Sequence, residues 1–556
     1  MSGYTASLRR GLPIAAIAAA LAGCAPPDDG VDRRCRFEPD GHGTPSGLLR
    51  FSRDGGLFTL GFSLTVESPL AGTLRYTLDG CPPDADSPRL DGPLDIDATT
   101  EVRVGLFDSE QDSPPRSSRV YIAADPELRH ESELPIVVVE TWGQPGIEQI
   151  ERPRVHRPAY LVVIEPGDDG IARLDDPPTF AGRIGMHIRG NSTAEQYRKK
   201  QYKLELWDEF DRDLAQPMLG MPAEADWVLH APHSDKTFMR NHLVYRWSNR
   251  MGRWAARTRF VETLIDRGDT LDSSDYVGVY VWMDKIEVGP NRVSVTPLEP
   301  EDADESTLAG GYLLVRDWDH HERALRTETY RDAILVDDPR PEDITPAQRS
   351  WIADYLNAFE RALSGPDFQD PQRGYAPYID IDAFIDHHLL VELARNVDGF
   401  VLSTYMHKER EGPLVMGPVW DYNGSLGNAD YYGAWDPEGW HHEHPDFPGD
   451  NPQGYRWYER LFEDPAFVAR YAERWRALRA GPLATDALLA DIDEASALLQ
   501  RPAMRNFERW PILGRYVWPN DEGHEQRGSF DDEVDYLRQW LLARVAWMDA
   551  QLGSAG

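Results

Sequence analysis

The sequence predicts an α+β protein in which a small β-sandwich precedes a mixed sheet and a helical subdomain. Three observations support this prediction. Short runs that alternate apolar and polar residues fill the chain from residue 48 to about 124. Strand-like runs of a different composition begin at Leu134, and segments with amphipathic helical spacing dominate the C-terminal part.

Length and charge limit the classes of function. A chain of 556 residues is long enough for two or three domains, and 41% hydrophobic with 10% aromatic residues indicates a packed globular protein. The formal net charge is -36 at pH 7, and no basic stripe interrupts it. Because binding to a phosphate backbone needs a basic face, we expect no nucleic-acid partner.

The N-terminal segment has the pattern of an export signal. Two arginines precede the apolar run GLPIAAIAAALAG, which is too short to span a bilayer but has the length of a signal-peptide core. The run ends in Leu21-Ala22-Gly23-Cys24, which resembles a bacterial lipobox. This resemblance implies a signal peptide over residues 1–23, lipidation of Cys24 and a tether over 24–47. We therefore expect an exported bacterial lipoprotein, held at the cell envelope or surface by its lipid alone.

The cysteine count favours one disulfide. The chain has three cysteines, and lipidation would occupy Cys24. Cys35 and Cys81 then remain as a pair in an oxidising compartment, where a disulfide is the expected state. Two free thiols are the alternative.

Residues 48–124 predict the β-sandwich. The runs GFSLTVE, LRYTLDG, PLDIDATTEVRVGLFD and SSRVYIA have period-two alternation and are separated by turn residues. The segment Arg75-Tyr-Thr-Leu-Asp-Gly80 and the strands after it resemble the chitobiase/β-hexosaminidase C-terminal-type module, an accessory immunoglobulin-like sandwich of secreted bacterial proteins. That module usually has Ser after Asp-Gly, whereas this chain has Cys81, which fits a link to Cys35. The expected role is spacing or surface contact.

Residues 133–550 predict the larger domain. The runs PIVVVE, AYLVVIE, GRIGMHI and YKLELW read as strands of a mixed sheet. RNHLVYRWSNRMG and ITPAQRSWIADYLNAFERALSG have helical spacing and end in Gly, a common helix stop. The helix IDAFIDHHLLVELARN leads directly to Asp398, and three long amphipathic segments near the C-terminus form the helical subdomain.

Two segments carry candidate anion-binding groups. Ile188-Arg-Gly-Asn-Ser-Thr193 predicts a strand and a turn whose amides can cradle phosphate oxygens, and lysines on the next strand can neutralise them. It lacks the spacing of a P-loop, and a hairpin turn with solvated lysines is the alternative. In the second segment, Arg240 lies in the first turn of a helix, where the helix dipole disfavours cations. Either an anionic ligand or a carboxylate within the fold would explain it.

Asp398 and Asp421 form the third candidate constellation. Each carboxylate follows an apolar segment and precedes a glycine-containing stretch, so both can lie at one end of a hairpin. In phosphoryl transfer, one carboxylate accepts the hydroxyl proton and another holds the magnesium ion that bridges the phosphates. Glycosidases also use two carboxylates, so this pair alone is compatible with a hydrolase.

A series of blocks in a fixed order resembles the spore coat protein H (CotH) kinase family over roughly residues 133–550. The blocks are RGNST, KKQYKLEL, DWVLHAPHSDKTFMRN, RFVETLI, DYVGVYVWMDKI, GGYLLVRD, IDAFIDHHLLVELARNVDGFVLSTYMHK, MGPVWDYNGSLGN, RNFERWPIL and VDYLRQWLLARVAWMD. The resemblance implies an atypical protein-kinase-like fold that transfers phosphate from ATP to Ser or Thr of surface proteins, with Mg²⁺ or Mn²⁺.

The resemblance also implies roles for individual residues. Asp398 corresponds to the catalytic base and Asp421 to the metal-binding acid. The nucleotide-contacting strand and turn include Arg189, Asn191, Lys200 and Lys203.

The chain departs from the usual family pattern at Asp284 and from that of conventional kinases at Ser403. Asp284 stands where the family commonly has Glu, so the acid that should orient the phosphate-binding lysine is one carbon shorter. Ser403 stands where conventional kinases have the Asn that binds a second metal ion, and Asn423 is a candidate replacement.

Three functions therefore remain in competition. The first is the surface-anchored kinase with an extracytoplasmic Ser/Thr-bearing acceptor. The second is a catalytically silent, kinase-like scaffold or adhesin that binds proteins or glycans, and the third is a glycan hydrolase.

The His-rich segments 317–322 and 441–446 lack familiar zinc spacing and are interpreted as solvated loops. The sequence indicates no oligomeric state.

Overall fold

The structure, a computed structural model, describes residues 48–108, 115–268, 270–317, 324–444 and 455–553. The predicted signal peptide, the tether, the lipidation site Cys24 and Cys35 lie outside these residues. Cys81 is disulfide-bonded. Within the described ranges, no helix is both long and apolar enough to cross a membrane.

The first part of the chain forms three small sheets around one core. β2, β8, β7 and β5 build a four-stranded sheet, and β1 with β4 and β3 with β6 build two-stranded sheets. Alternation along β7 points Val102, Val104 and Leu106 into this core, while Glu101 and Arg103 face the other way. The strands are β1 Arg50–Phe51, β2 Gly56–Phe58, β3 Phe62–Leu64, β4 Val66–Glu67, β5 Thr73–Thr77, β6 Leu94–Ile96, β7 Thr100–Phe107 and β8 Arg116–Ala123.

A closed barrel follows. Its strand order is β10-β11-β13-β14-β17-β19-β18, and a parallel pairing of β10 with β18 closes it. The barrel strands are β10 Ile136–Glu140, β11 Arg157–Ile164, β13 Phe180–Arg189, β14 Gln201–Leu206, β17 Asp226–His230, β18 Thr258–Asp266 and β19 Tyr276–Asp284. Two separate two-stranded sheets pair β9 Glu131–Ser132 with β12 Ala172–Arg173, and β15 Gln216–Met218 with β16 Met221–Glu224. Three helices accompany them, α1 Pro145–Glu148, α2 Ser192–Gln196 and α3 Arg240–Arg250.

The mixed sheet that the sequence pattern predicts is closed into a barrel, and the pattern did not indicate this closure. The five residues of β10, IVVVE, are all buried, and both edges of the strand are hydrogen-bonded. Closure pairs strand edges that an open sheet would expose. The interior is filled by large side chains, including Met186, Trp227 and Trp282.

The remaining chain combines a second sheet with a helical layer. The sheet has the order β21-β22-β20-β23-β24. Its strands are β20 Tyr312–Arg316, β21 Leu325–Arg326, β22 Ala333–Asp338, β23 Thr404–Lys408 and β24 Leu414–Met416. The helices are α4 Glu305–Leu308, α5 Pro346–Ser364, α6 Ile381–Ala394, α7 Arg456–Leu461, α8 Pro465–Arg479, α9 Thr485–Arg509 and α10 Phe530–Leu552.

The long helices agree with the predicted segments because residues next to each helix start determine where the helix begins. Thr345 and Gln348 form a reciprocal capping box at the start of α5, where Pro346 occupies the first turn. Ser529 and Asp532 form the same motif at α10. The helices then bury one extended core with α3, which explains the dense aromatic content of this part of the sequence.

The sandwich packs directly against the barrel. Arg183 of β13 lies between Glu101 of β7 and Asp211, and all three side chains are almost fully buried. Glu209 accepts hydrogen bonds from Ser118 and Ser117 at 2.5 and 3.3 Å. A shared apolar cluster lies beside this network. The two parts therefore meet through a buried interface.

The interface predicts a large cost for removing its central cation. Arg183→Ala would leave the buried Asp211 without this ion pair and Glu101 with the longer contact to Arg103 at 3.9 Å. We expect a loss of about 3 to 5 kcal/mol in the free energy of unfolding. Arg157, on the neighbouring strand, pairs with Glu151 where the side chains are 40% and 33% exposed. Arg157→Ala should cost less than about 1 kcal/mol. Urea unfolding of both variants checks the difference, and equal losses would contradict it.

Candidate active site

One large cavity lies between the barrel, the second sheet and the helical layer. Its volume is about 840 Å³, which is within the usual range of roughly 300 to 1,000 Å³ for small-molecule sites. The walls come from the end of β13 and the turn after it, the loop between α6 and β23, and the loop after β24. Both candidate acids, Asp398 and Asp421, line this cavity, at the same end of the β23–β24 hairpin.

Asn396 ties the two acid-bearing loops together. Helix α6 ends at Ala394, and the next residues turn sharply because Arg395 adopts a left-handed conformation, with φ 46°. The side-chain Oδ1 of Asn396 accepts a hydrogen bond from the backbone N–H of Asp398 at 3.3 Å, and its Nδ2 donates to the backbone carbonyl of Asp421 at 3.2 Å. One buried side chain therefore sets the position of both carboxylates.

Helix α3 supports Asp421 from the other side. The backbone N–H of Asp421 donates to Tyr245 Oη at 3.0 Å, and that of Tyr422 donates to Asn241 Oδ1 at 2.6 Å. Asp421 itself has φ 61°, which costs free energy for a residue with a side chain. The contacts from α3 hold this conformation in place.

Arg240 supports the same loop rather than a ligand. Its guanidinium pairs with Asp235 at 2.5 Å and donates to the backbone carbonyls of Ser425 and Leu426 at 3.0 and 3.3 Å. The cation in the first turn of α3 is thus neutralised inside the fold, which was the second of the two explanations open from the sequence.

The charges in the cavity perturb both acids. Burial, with the neighbouring Asp421 and Asp317 carboxylates, raises the pKa of Asp398 to about 7. Burial also raises the pKa of Asp421, while the Arg189 guanidinium opposes this shift. The pKa values of both carboxyl groups therefore lie above the usual Asp value, and strongly perturbed acids in a cavity are typical of functional sites.

Arg189 is the cation that faces these acids. Its guanidinium carbon lies 5.4 Å from the centre of the Trp420 ring. In the part of the chain that the structure describes, Arg189 makes no ion pair or hydrogen bond through its side chain. Arg326 and Arg331 also line the cavity, whereas no lysine among the described residues does.

The structure places the predicted lysines away from the cavity. Lys203 shares the outer face of the barrel with Arg189, but its cross-strand partner is His187, two residues before Arg189. The Lys203 ammonium pairs instead with the Asp226 carboxylate at 2.8 Å. Lys200 lies just before β14, and its ammonium donates to the carbonyls of Ala194 and Tyr197 at 2.6 Å each. Neither side chain lines the cavity.

Asp284 has another partner than the expected lysine. Its buried carboxylate accepts from the side chain of Arg257 at 2.8 and 3.1 Å and from the Arg257 backbone N–H at 2.8 Å. It does not line the cavity. The remaining predicted residues, Asn191 and Asn423, do line it, Asn191 as the residue before helix α2.

Asp317 is a site residue that sequence reasoning assigned to a solvated loop. It directly follows strand β20 and lines the cavity with Asp398 and Asp421. Its position after an apolar strand repeats the pattern of Asp421, and this was the available signal. Aromatic side chains that were also not predicted complete the wall, namely Tyr197, Tyr405, Trp420, Tyr431, Tyr432 and Trp518.

Backbone strain concentrates at this cavity. Four residues other than glycine that line it have positive φ, namely Arg331, Ser403, Asp421 and Tyr432. Such conformations persist where the surrounding structure compensates for them, and they are frequent at functional sites.

A family model described as CotH kinase protein matches residues 186–548. The chain belongs to the CotH kinase protein family. The match begins within β13, so the sandwich and the barrel strands β10 and β11 of this CotH protein precede it. No curated protein matches the chain.

The raised pKa of Asp398 predicts a specific dependence of stability on pH. The unfolded pKa of Asp is about 4, whereas the folded pKa is about 7. Between these values the native state binds more protons, so its stability falls as pH rises through this window. Asp398→Asn should therefore match the wild type at pH 4 and exceed it at pH 8, by up to about 4 kcal/mol.

Urea unfolding at both pH values checks this expectation. Asp54→Asn is the control, because it makes the same change at a side chain that is 98% exposed. A constant difference between Asp398→Asn and wild type from pH 4 to pH 8 would contradict the assigned shift.

Proposed function

We propose that this protein is a surface-anchored atypical kinase that transfers the γ-phosphate of ATP to Ser or Thr of extracytoplasmic proteins. The observation that carries the proposal is the convergence of Asp398, Asp421 and Arg189 on one cavity of nucleotide size. Family membership supports phosphotransferase chemistry in general. The acceptor class and the surface location rest on the sequence resemblances.

The donor atoms in the cavity fit a hard divalent cation. Asp421 and Asp317 offer carboxylate oxygens, and Asn423 offers an amide oxygen. Oxygen donors of this kind suit Mg²⁺ or Mn²⁺. When bound, such an ion would neutralise charge on the phosphates.

Asp398 is the proposed general base. The acceptor hydroxyl oxygen forms a bond to the γ-phosphorus while the bond from that phosphorus to the β–γ bridging oxygen breaks. Asp398 takes the hydroxyl proton, and the products are a phosphorylated side chain and ADP. A carboxyl group with a pKa of about 7 is well matched to proton transfer near neutral pH.

Arg189 is the proposed phosphate-binding cation. Because it makes no ion pair within the described residues, its guanidinium is available for an anionic ligand, and two parallel N–H donors match a phosphate. The turn after it begins with Gly190 at φ 93°, where a side chain would collide with Thr193 and Gln201. This brings backbone close to the cavity, as phosphate-binding turns require.

A silent scaffold is the second candidate, and Asp284 is the observation that favours it. In conventional kinases, a buried acid orients the phosphate-binding lysine, whereas Asp284 pairs with Arg257. If Arg189 does not replace that lysine, the cavity would bind a partner without turnover. Measurements of nucleotide binding and of phosphate transfer distinguish the kinase from the silent scaffold.

Removing each acid should affect a different step. Asp421→Ala should abolish stabilisation by ATP with Mg²⁺ or Mn²⁺, which reaches roughly 2.7 kcal/mol at a hundredfold excess over the dissociation constant. Asp398→Asn should keep this stabilisation and lower phosphate transfer by roughly 100- to 10,000-fold. Thermal unfolding and transfer of labelled phosphate to a Ser/Thr protein mixture from the cell envelope measure the two effects. Binding without transfer by the wild type would favour the scaffold, and no binding would exclude the kinase.

The cavity cation can be identified by a matched pair of variants. Arg189→Met should weaken nucleotide binding at least about tenfold, because a charged hydrogen bond contributes roughly 1.5 to 3 kcal/mol. Lys203→Met, on the next strand, should stay within about twofold of wild type. Calorimetric titration with ATP and Mg²⁺ measures both. A greater loss in Lys203→Met would restore the lysine as the phosphate-binding group.

A further inference from the structure

We propose that His388, Glu392 and His442 form a binding site for a transition-metal ion, with Zn²⁺ as the expected occupant. None of the three side chains lines the active-site cavity. The inference does not depend on kinase activity, because the three side chains lie outside the cavity that holds Asp398 and Asp421.

The fold brings these three side chains together from two elements that are distant in sequence. His388 and Glu392 are four residues apart on α6, so successive turns place them on one face. His442 comes from a short 3-10 helix, His441–Glu443, that packs against this face. One candidate ligand atom from each side chain lies within 4.8 Å of the other two. Two imidazoles with one carboxylate are an established donor set for zinc.

The candidate ligands have outer partners of the kind that metal sites use. Nδ1 of His388 lies 3.0 Å from Tyr471 Oη. Glu392 Oε2 accepts from Arg544 at 3.0 Å and from the His441 backbone N–H at 2.8 Å. Its other oxygen, Oε1, lies 2.7 Å from Nδ1 of the third candidate ligand, His442. Such contacts orient ligands and tune a bound metal.

The surroundings also provide a place for a fourth donor and a route of entry. Tyr455 Oη lies 2.8 Å from His388 Nε2, so an oxygen already stands beside this nitrogen. The side chains of His388 and Glu392 are fully buried, whereas that of His442 is 19% exposed. An ion can therefore enter past His442 and be enclosed by the other two ligands.

The expected role of the ion is structural. Glu392 lies in the last turn of α6, and the chain continues through Asn396 to Asp398. Arg395 and Arg544 bind carbonyls of the segment 436–439, which leads to the 3-10 helix. An ion held by both elements would fasten this segment to the end of the helix that carries the catalytic loop.

Metal content of the purified full chain is the direct test. We expect about one zinc per chain by elemental analysis after expression with zinc and extensive dialysis. Asp421→Ala should retain this zinc, which separates it from an active-site cation. His442→Ala should lose at least about tenfold in bound zinc, while His444→Ala, a change in the same segment outside the cluster, should retain it. Zinc below about one tenth of an equivalent in the wild type, or undiminished zinc in His442→Ala, would overturn the proposal.

A second readout covers the case in which a variant does not fold. Cobalt(II) loaded into the wild-type chain should give visible absorption bands typical of four-coordinate nitrogen and oxygen ligation, and added Zn²⁺ should remove them. Cobalt that shows only the spectrum of the hydrated ion would mean that the three side chains form a hydrogen-bonded network without a metal. That result would also overturn the proposal.

Discussion

The site depends on holding two like-charged carboxylates, Asp398 and Asp421, in one poorly solvated cavity. Burial and mutual repulsion both favour the neutral acids, and the raised pKa of Asp398 reflects this cost. The protein opposes the cost by geometry, because Asn396 links the two loops and α3 grips the second through Tyr245 and Asn241. Without these hydrogen bonds, the loops could relax and separate the charges.

The cation opposite these acids comes from the barrel, so the barrel and the second sheet must be held in a fixed relative position. Arg189 ends β13, whereas Asp398 and Asp421 belong to loops of the second sheet. Helix α9 attaches the helical layer to the barrel side, since Asn506 accepts hydrogen bonds from the Lys199 ammonium and from the backbone N–H of Val279. The residues with positive φ at the cavity fit this arrangement, because the packed elements around them stabilise backbone conformations that cost free energy.

Asp284 is the position at which this chain differs from the usual CotH pattern and at which the structure shows a different partner. Asp284 binds Arg257 and cannot also orient a lysine in the cavity, and the nearby lysines have carbonyl or carboxylate partners elsewhere. An arginine at the cavity makes this arrangement chemically coherent, because guanidinium needs no neighbouring acid to stay charged. Outside the cavity, the buried side chains of His388 and Glu392 meet His442, and the His388 ring packs on Phe400 of the loop that carries Asp398. The proposed metal site would therefore support this loop from the same helix.

Sequence periodicity by itself determined the long helices, the strand segments and the two acids at the ends of apolar runs, because these features depend on neighbours within a few residues. The direction of each side chain did not follow from it. Lys200 and Lys203 occupy the predicted strand region, yet strand parity and register turn them to other partners. Barrel closure, the entry of Asp317 into the cavity and the meeting of Glu392 with His442 join residues far apart in sequence. Only tertiary packing decided these, because no local pattern records which distant surfaces will bury each other.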